Sequence, residues 1–501
     1  MSKKWLIVFL VVIVGYGVLF YKYNTSINAL EIANKFVNDA DEKLEACKKE
    51  CGVKYTTNIY PNFGIDEDNC IRIGLNYPET GPYSIQGRYQ LWAAMLAVDE
   101  INKSGGILNK KVQLVIKDSM SKSDIAKINV RELIDDYNCQ MIFGGSASSV
   151  AIAGGEIAKL KKKLYFGTLT YSNATTGRIP DKECKDQNDD CMSNRYMFRE
   201  CYNAWMGAKV LSKHLLENYH NKVYFYITAD YTWGKTTEES IRQHSKTSDD
   251  LIHKSVKTPF PGATQNDFIK ALKEAEKNNP DVLVLVLFGK DMAKALTIAH
   301  EMGLKSKVEA IIVPNLTLGM IMSAGPQVME GVIGALPWNW KIPFIYNYEN
   351  GKKFVFNYLN KYGTLPSTSA ASAYNILYQY KDAVERTKSF DTEMLINALE
   401  GHSFVGLKDI QQWRKFDHQC IQTVYAIKCK NNQKPEYIKE KINILHGDQT
   451  VYEIECKLNQ KAEYPEGILN ILYGDVFEII DKMHDDAAAR KWYQWVNRVG
   501  E

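Results

Sequence analysis

The sequence has little net charge, although charged residues are common in it. It contains 62 lysines and arginines against 59 aspartates and glutamates, which leaves a formal charge of +3. The lysines are interleaved with acidic residues along segments of helical periodicity, a pattern that is typical of solvated helix faces. A nucleic-acid-binding protein needs a concentrated basic surface, so we expect no nucleic-acid partner.

The sequence also lacks the short motifs that accompany common enzymatic chemistries. It has no GxGxxG after a strand, no Walker A pattern, no HExxH and no GxSxG. None of its nine histidines has a second histidine at metal-ligand spacing. His418 follows Asp417 and lies near Arg414, which favours a structural turn held by an ion pair over a catalytic base. We therefore expect no enzymatic activity, no cofactor and no metal.

Cysteine is too sparse to build the fold. Ten cysteines in 501 residues do not make a disulfide scaffold. Cys47 and Cys51 stand four residues apart, but a metal site would require a further close pair of cysteines or histidines. If the chain is exported, Cys184 and Cys191, which flank a hydrophilic loop, are the better candidates for a disulfide. The sequence does not assign the pairing.

The longest apolar run stands near the amino terminus. Lys3 and Lys4 precede an uncharged segment of 17 residues, 5–21, and no A-x-A cleavage site follows it. The segment is long for a signal peptide and short for a membrane span. We predict an uncleaved signal anchor over residues 1–22, then a helical stalk and linker over residues 23–69. A cleaved signal peptide is the alternative.

Both interpretations of the amino terminus export the rest of the chain. With an uncleaved anchor, the protein is tethered to the cytoplasmic membrane in the periplasm or at the cell surface. With a cleaved signal peptide, it is secreted. In either case the globular part is expected to begin at about residue 70, where the sequence pattern changes.

From residue 70 onwards, short apolar segments alternate with segments of helical periodicity. Segments predicted as strands are IRIGLNYP, KVQLVIKDS, QMIFGG and KLYFGTLT in a first series, and KVYFYITAD, DVLVLVLFG and EAIIVP in a second. DVLVLVLFG is apolar at every position after Asp281 up to its glycine, as expected for a strand buried on both faces. The alternation predicts an α/β fold with two parallel sheets covered by helices.

Hydroxyl-bearing, small and aromatic residues follow these strands. In open α/β sheets, ligands bind beyond the carboxyl ends of the strands, so two sheets that face one cleft can bury a small molecule. Ser148 lies between a strand and a helix, where a hydroxyl and free backbone N–H groups can bind a carboxylate. Its alternative role is to cap the helix. Tyr171, Trp233 and Phe288 follow other strands and either contact a ligand or fill the core.

Several segments, in their order along the chain, resemble the leucine/isoleucine/valine-binding protein family, the type I periplasmic solute-binding proteins of ABC transporters. The resemblance covers roughly residues 70–457. It is carried by the segments TGPYSIQG, AVDEINKSGGILNKKVQLVIKDS, GGSASSVAIAGGEIAKLKKKLYFGTLT, ADYTWGKT, DVLVLVLFGKDMAKALTIAHEMGL, ALPW, FVFNYLNKYGTLPSTSAASAYNILYQYKDAVERTKSFDTEMLINALEG and WRKFDHQCIQTVYAI. The ensemble of segments is specific, whereas single segments are not.

The resemblance implies a two-lobed type I periplasmic-binding-protein fold. Its two parallel-sheet lobes are joined by a three-strand hinge and close over the ligand. Residues 70–203 and 338–408 are then expected to form the first lobe, and residues 204–337 and 409–457 the second.

The hinge and the carboxyl-terminal tail complete this expected layout. The crossings between lobes are expected near residues 201–204, 336–338 and 406–413. Residues 458–501 form an extension that we predict to end in a helix with Trp492, Trp495 and Val496 on one side.

The resemblance also implies binding roles at positions of this sequence. Ser148 matches a serine that binds the ligand carboxylate, and Leu169 matches a residue that offers its carbonyl to an ammonium group. Tyr171 falls where the family usually has a threonine. The predicted ligand-binding residues are Tyr83, Ser148, Ser149, Leu169, Thr170, Tyr171, Trp233, Phe288 and Asn315.

Two positions depart from the family pattern. Asn315 falls where branched-chain binders have a glutamate for the α-ammonium group, and an unpaired buried ammonium is costly. Either another acid such as Asp230 supplies the charge, or the ligand has no α-ammonium group, which makes aromatic acids, amides and urea-like solutes candidates. Met120 stands at the position of an early family disulfide, so that bridge is absent.

Together these features predict an extracytoplasmic solute-binding protein. It would capture an amino acid or a related small carboxylate or amide by lobe closure and deliver it to the permease of an ABC importer in the membrane. The alternative is a ligand-sensing ectodomain that works with a separate signalling partner. An α/β enzyme is the third hypothesis, and no motif supports it.

Overall fold

The computed structural model describes residues 57–61, 70–176, 194–430, 442–446, 449–454 and 477–483. The predicted anchor over residues 1–22, most of the predicted stalk and linker, Cys184, Cys191 and the two tryptophans of the tail lie outside these residues. Within the part of the chain that is described, no helix is both long enough and apolar enough to cross a membrane.

The first sheet has six strands in the order β1-β3-β2-β4-β5-β6. All neighbours are parallel except β1, which is antiparallel to β3. Helices follow three of these strands and connect each to the next, as the alternating pattern predicts. The strands are β1 (Thr57–Tyr60), β2 (Cys70–Tyr77), β3 (Lys111–Asp118), β4 (Met141–Gly145), β5 (Leu164–Thr168) and β6 (Met197–Arg199). The helices are α1 (Ser84–Lys103), α2 (Ser123–Asp135) and α3 (Ser148–Leu160).

The second sheet repeats this arrangement with five parallel strands. They are β7 (Tyr224–Ala229), β8 (Ser255–Thr258), β9 (Val282–Val286), β10 (Ala310–Asn315) and β11 (Ile333–Leu336). Every residue of β9 is buried, as its continuous apolar sequence predicts. The helices of this lobe are α4 (Ala204–Asn218), α5 (Thr232–Ser245), α6 (Gln265–Lys277), α7 (Gly289–Glu301), α8 (Leu318–Ala324) and α9 (Pro326–Met329).

The chain then returns to the first lobe. Its helices there are α10 (Ile342–Ile345), α11 (Glu349–Tyr362), α12 (Thr368–Thr387) and α13 (Thr392–Leu399), and α12 shares an apolar core with α1. A small antiparallel sheet follows, formed by β12 (Ser403–Val405), β13 (Ile410–Trp413) and β14 (Cys420–Ile421). Phe404 and Trp413 of this sheet pack into the same first-lobe core.

Two later strands extend the second sheet at one edge. β15 (Val424–Cys429) pairs antiparallel with β11, and its other side pairs antiparallel with the last described strand, β18 (Phe477–Met483). Between them in sequence, β16 (Ile442–His446) and β17 (Gln449–Ile454) form a separate hairpin. The order of the second sheet is therefore β18-β15-β11-β10-β9-β7-β8, with mixed strand directions where only parallel strands were expected.

Within the described residues, three chain segments connect the lobes. The first lies between β6 and α4, and the second follows β11. The third lies between β14 and β15, because Ile421 ends the small sheet and Val424 begins the strand in the second sheet. Residues 406–413, where this third crossing was expected, instead lead into β13 beside the first-lobe core.

Candidate functional site

Loops that follow strands of the two sheets touch one another and form a cleft. The Tyr83 hydroxyl, after β2, lies 2.6 Å from the Tyr231 hydroxyl, after β7. The Gln86 Nε2 group of α1 donates to Thr317 Oγ1, after β10, at 3.3 Å. Tyr83 is 1% exposed, so this closed arrangement shields the cleft from solvent.

Ser148 joins two loops of the first lobe. It is the first residue of α3, and Ala147 occupies the N-cap position without a side-chain hydrogen bond. Ser148 Oγ accepts a hydrogen bond from the backbone N–H of Ser172 at 3.0 Å. Ser148 therefore does not cap the helix, and its own proton has no acceptor among the described residues. Ser149, next to it, is half-buried.

The loop before Ser148 depends on a close approach of the backbone. Gly144 has a φ of 129°, and a Cβ at this position would lie 2.1 Å from the carbonyl oxygen of Asn76. The side chain of Gln90 fixes the next turn, since it donates to Ser146 Oγ and accepts from Thr168 Oγ1, both at 2.6 Å. The first turn of α3 is thereby held against the end of β5.

A buried arginine holds the second loop, which contains Leu169, Thr170 and Tyr171. The Arg199 guanidinium donates to the carbonyl oxygens of Thr170 and Ser172 and to Gln419 Oε1, the last at 2.6 Å. Burial lowers the pKa of Arg199 to about 10. Leu169 has a φ of 54°, so this loop adopts a left-handed turn that the arginine contacts stabilise.

Seven rings meet where the loops of the two lobes come together, and we call them the aromatic cluster. They are Tyr83, Tyr171, Tyr202, Tyr231, Trp233, Phe260 and Phe288. Tyr83 from the first lobe stacks on Phe260 at 5.3 Å between ring centroids and meets Phe288 edge-on at 5.2 Å. The cluster thus brings together four of the predicted residues and adds three that were not predicted.

Three buried polar atoms in or beside this cluster have no hydrogen-bond partner among the described residues. They are Gln86 Oε1, Trp233 Nε1 and Asn315 Oδ1. The Asn315 side chain is otherwise engaged, because its Nδ2 group donates to the Tyr202 hydroxyl. Unpaired buried polar atoms are costly, so these positions are suited to the polar groups of a ligand.

Two acidic residues that follow strands of the second sheet have different surroundings. Asp230 has a half-exposed side chain that pairs with Lys235 at 3.6 Å and Lys257 at 3.9 Å. Asp291, in the first turn of α7, is 8% exposed. Burial raises the pKa of Asp291 to about 6. Asp230 therefore already has cationic partners at the surface, whereas Asp291 is buried and forms no ion pair among the described residues.

A buried lysine ties the inter-lobe segments together. Lys408 Nζ donates to the carbonyl oxygens of Pro337 and Thr423, both at 2.6 Å, and to Gln422 Oε1 at 2.9 Å. Gln422 in turn donates to the carbonyl of Glu200 on the first segment. A cavity of about 10 Å³ lies among these residues. Burial lowers the pKa of Lys408 to about 8.

The predicted ion-paired turn is present beside the first sheet. Arg414 donates to both carboxylate oxygens of Asp417, at 2.9 and 2.7 Å. His418 stacks on Phe198 and contacts Glu400 Oε1 at 3.0 Å. No group of three or more metal-ligating side chains occurs among the residues that the structure describes.

Several site residues were not identified from the sequence, namely Tyr202, Tyr231, Phe260, Asp291 and Arg199. Tyr231 and Asp291 belong to the sequences ADYTWG and FGKD at the ends of predicted strands, so their position was available as a signal. Arg199 ends β6 and Tyr202 lies on the first inter-lobe segment, and nothing in their local sequence indicates that they reach the cleft. Their roles depend on contacts between distant segments.

The chain is similar to known periplasmic binding proteins. A family model for periplasmic binding proteins matches residues 70–434. The Leu/Ile/Val-binding protein homolog 7 of Brucella abortus (strain 2308) is 32% identical over 108 residues, which are 22% of this chain. That match spans 27% of the relative, so only about a quarter of its length is covered.

Two solved structures share the fold at low sequence identity. A solute-binding protein of an ABC transporter from Rhodopseudomonas palustris BisB5, in complex with 3,4-dihydroxybenzoic acid, is 18% identical with a TM-score of 0.61, covering 73% of this chain and 94% of that one. The branched-chain amino acid transporter substrate-binding protein LivJ from Streptococcus pneumoniae, in complex with isoleucine, is 21% identical with a TM-score of 0.60, covering 72% and 97%. At these sequence identities, the similarity shows a shared fold only.

Proposed function

Because the chain belongs to the periplasmic binding protein family, we propose that it is an extracytoplasmic solute-binding protein. It captures a small organic solute between its lobes and delivers it to the membrane permease of an ABC importer. Family membership supports a location outside the cytoplasm and a binding role without turnover. The solute belongs to the amino acids or to related small carboxylates and amides.

The observation that carries this proposal is the closed cleft with unpaired polar atoms. Gln86 Oε1, Trp233 Nε1 and Asn315 Oδ1 come from both lobes and are buried without partners among the described residues. A solute with donors and acceptors at matching positions would pair with them and stabilise the closed form. Removing the solute leaves them unpaired, which favours opening.

The first lobe offers a site for a carboxylate. The Ser148 hydroxyl proton is free to donate, and the first turn of α3 carries backbone N–H groups without intrahelical acceptors. The partial positive charge of the helix terminus favours an anion at this place. Tyr171, 2% exposed, and the other rings of the aromatic cluster would surround the apolar part of the solute.

The apolar run over residues 5–21 supports a further part of the proposal, that residues 1–22 tether the protein to the cytoplasmic membrane. Cell fractionation tests this part separately. Recovery of the full-length chain with the membrane is expected, and a shortened chain in the soluble extracytoplasmic fraction would instead indicate cleavage.

Thermal unfolding of the full-length protein tests the binding function. The panel contains amino acids, aromatic acids, short amides and urea, since a solute that binds only the folded state raises the midpoint. We expect one class to raise it and Ser148→Ala to remove the effect. Ser104→Ala is the matched control, because its hydroxyl bonds the Ile101 carbonyl at the end of α1, before the amino end of β3. No shift with any class would contradict the proposal.

A further inference from the structure

Asp291 lies where the second lobe meets Tyr83 of the first lobe. The turn that carries it begins at Gly289, whose φ is 63° and where a Cβ would lie 2.7 Å from Tyr83 Cδ1. The next residue, Lys290, donates its backbone N–H to the carbonyl oxygen of Pro82 at 3.3 Å. The first turn of α7 is therefore in direct contact with the loop of the opposite lobe.

The Asp291 carboxylate has no hydrogen-bond donor and no cation within ion-pair distance among the residues that the structure describes. The nearby Lys294 is exposed, and no ion pair between the two side chains forms. An isolated carboxylate in an environment of low polarity is costly unless a cation joins it. Asp291 is thus a buried acid that has no direct ion pair among the described residues, and only the first turn of α7 and the more distant Lys294 favour its charge.

Asp267 provides an internal comparison, because it occupies the same position, the third residue, in α6. Its carboxylate accepts hydrogen bonds from the backbone N–H of Thr264 at 2.8 Å and from the Thr264 hydroxyl at 2.6 Å. That arrangement is an ordinary capping box. α7 has Phe288 at the N-cap, and no such bonds form. Asp291 therefore does not serve the capping role that its position suggests.

Aromatic rings lie beside the turn that carries Asp291. Tyr231 stacks on Phe260 at 4.1 Å, and both rings adjoin Tyr83. Burial is the main cause that holds the pKa of both Tyr83 and Tyr231 far above the usual value. The neighbouring Tyr231 raises the pKa of Tyr83 further, and the negative charge of Asp291 makes the smallest contribution to both. Aromatic faces and a carboxylate each attract organic cations.

We propose that Asp291 is the ion partner of an ammonium group on the solute, held between the aromatic cluster and the first turn of α7. This inference rests on the proposed function, and it narrows the class of solute to amines, including amino acids. It supplies the negative charge that Asn315 lacks and that Asp230, which is paired with surface lysines, does not bring into the cleft.

The test uses the full-length protein and two sets of matched probes. One set is L-leucine, 3-methylbutan-1-amine and 4-methylpentanoate, and the other is L-phenylalanine, 2-phenylethylamine and 3-phenylpropanoate. Titration calorimetry and thermal unfolding are performed up to 10 mM probe at pH 7.5. We expect at least one probe with an ammonium group to bind, and its matched acid to bind at least 30-fold more weakly.

Two variants assign the effect to Asp291. Asp291→Asn, which keeps the size of the side chain, should weaken binding of the ammonium probe at least 30-fold while the protein remains folded by circular dichroism. Asp267→Asn, at the same helix position, should leave the affinity within twofold. Equal binding of the ammonium probe by Asp291→Asn and the wild type would overturn the inference.

The remaining outcomes separate this inference from the proposed function. If only acids or amides bind, and Ser148→Ala abolishes that binding, the solute-binding function stands and the role of Asp291 falls. If no ammonium probe binds at 10 mM while urea or another neutral solute does, the role of Asp291 also falls. If no solute of any class binds, both proposals fail.

Discussion

The hydroxyl groups of Tyr83 and Tyr231 lie 2.6 Å apart and join the first lobe to the second across the cleft. This hydrogen bond spans segments that are separated by 148 residues. It can form only while the lobes are closed, so it contributes to the closed form and not to an open one.

Tyr83→Phe should therefore make closure less favourable while it keeps the ring packing. A single hydrogen bond contributes about 1 kcal/mol, which corresponds to roughly a fivefold loss of affinity for the best-binding solute. Calorimetry measures that loss, and small-angle X-ray scattering without solute should show a larger radius of gyration. Tyr60→Phe, which loses a hydroxyl bonded to Asp99 within the first lobe, should change neither quantity.

Asp291→Asn should stabilise the solute-free protein at neutral pH. The folded pKa of about 6 lies above the ordinary value of 3.8, so the folded state binds this proton more tightly than the unfolded state. The stabilising contribution of Asp291 is therefore fully present at low pH, and it is lost as the pH rises through about 6. The distance between the folded pKa and the ordinary pKa of Asp291 limits the extra stability of Asp291→Asn at pH 7.5 to roughly 3 kcal/mol.

Chemical denaturation of both proteins at pH 4 and pH 7.5 measures this gain. The free energy of unfolding of the variant, relative to that of the wild type, should be higher at pH 7.5 than at pH 4. The same relative stability at both pH values would mean that the carboxylate is compensated in the folded chain.

Arg199→Met should destabilise the protein by roughly 3 kcal/mol, because the buried carbonyl groups of Thr170 and Ser172 lose their donor. Arg199→Lys should recover part of the loss. The free energy of unfolding in urea is the measurement. Arg386→Met is a matched control, since Arg386 pairs with Asp382 at the surface and should change stability by less than about 1 kcal/mol.

The pH dependence of the free energy of unfolding should reflect the ionisation of Lys408. Its folded pKa of about 8 lies below the ordinary 10.5, so the unfolded state binds the proton more tightly between these values. The contribution of this lysine therefore rises as pH increases from 8 to 10.5, by up to roughly 3 kcal/mol. Asp409 and Glu200 oppose this by favouring the charged form, and the Tyr425 ring lies 5.8 Å from Nζ.

Lys408→Met isolates this dependence. The variant should be less stable than the wild type, since three acceptors lose their donor, and the gap should widen between pH 8 and pH 10. The exposed Lys277→Met serves as control. A gap that stays constant over this range would contradict a depressed Lys408 pKa in the folded state.

The sequence predicted the fold class correctly, for reasons that are local. Continuous apolar segments such as β9 can only lie between two helical layers, and their alternation with helical segments dictates parallel strands. The antiparallel edge formed by β15 and β18 was not expected, because pairing at an edge depends on which distant segment returns to it.

The sequence could propose candidate site residues only where a residue directly follows a strand. The position of Ser148 after β4 made it a candidate, but the sequence could not distinguish an N-cap from the first helical residue that bonds the Ser172 N–H. Asp230 and Asp291 both follow strands, and only packing distinguishes them. Lysines neutralise the first at the surface, while the opposite lobe covers the second.

By itself, the sequence determined that this protein has two α/β lobes and that its polar loops lie at the carboxyl ends of the strands, since hydrophobic periodicity and chain order decide both. Only the tertiary structure decided which side chains meet in the cleft. Segments that are far apart in sequence pack together and exclude water from the cleft. This packing buries Asp291, Arg199 and Lys408 and determines which groups can balance or contact their charges.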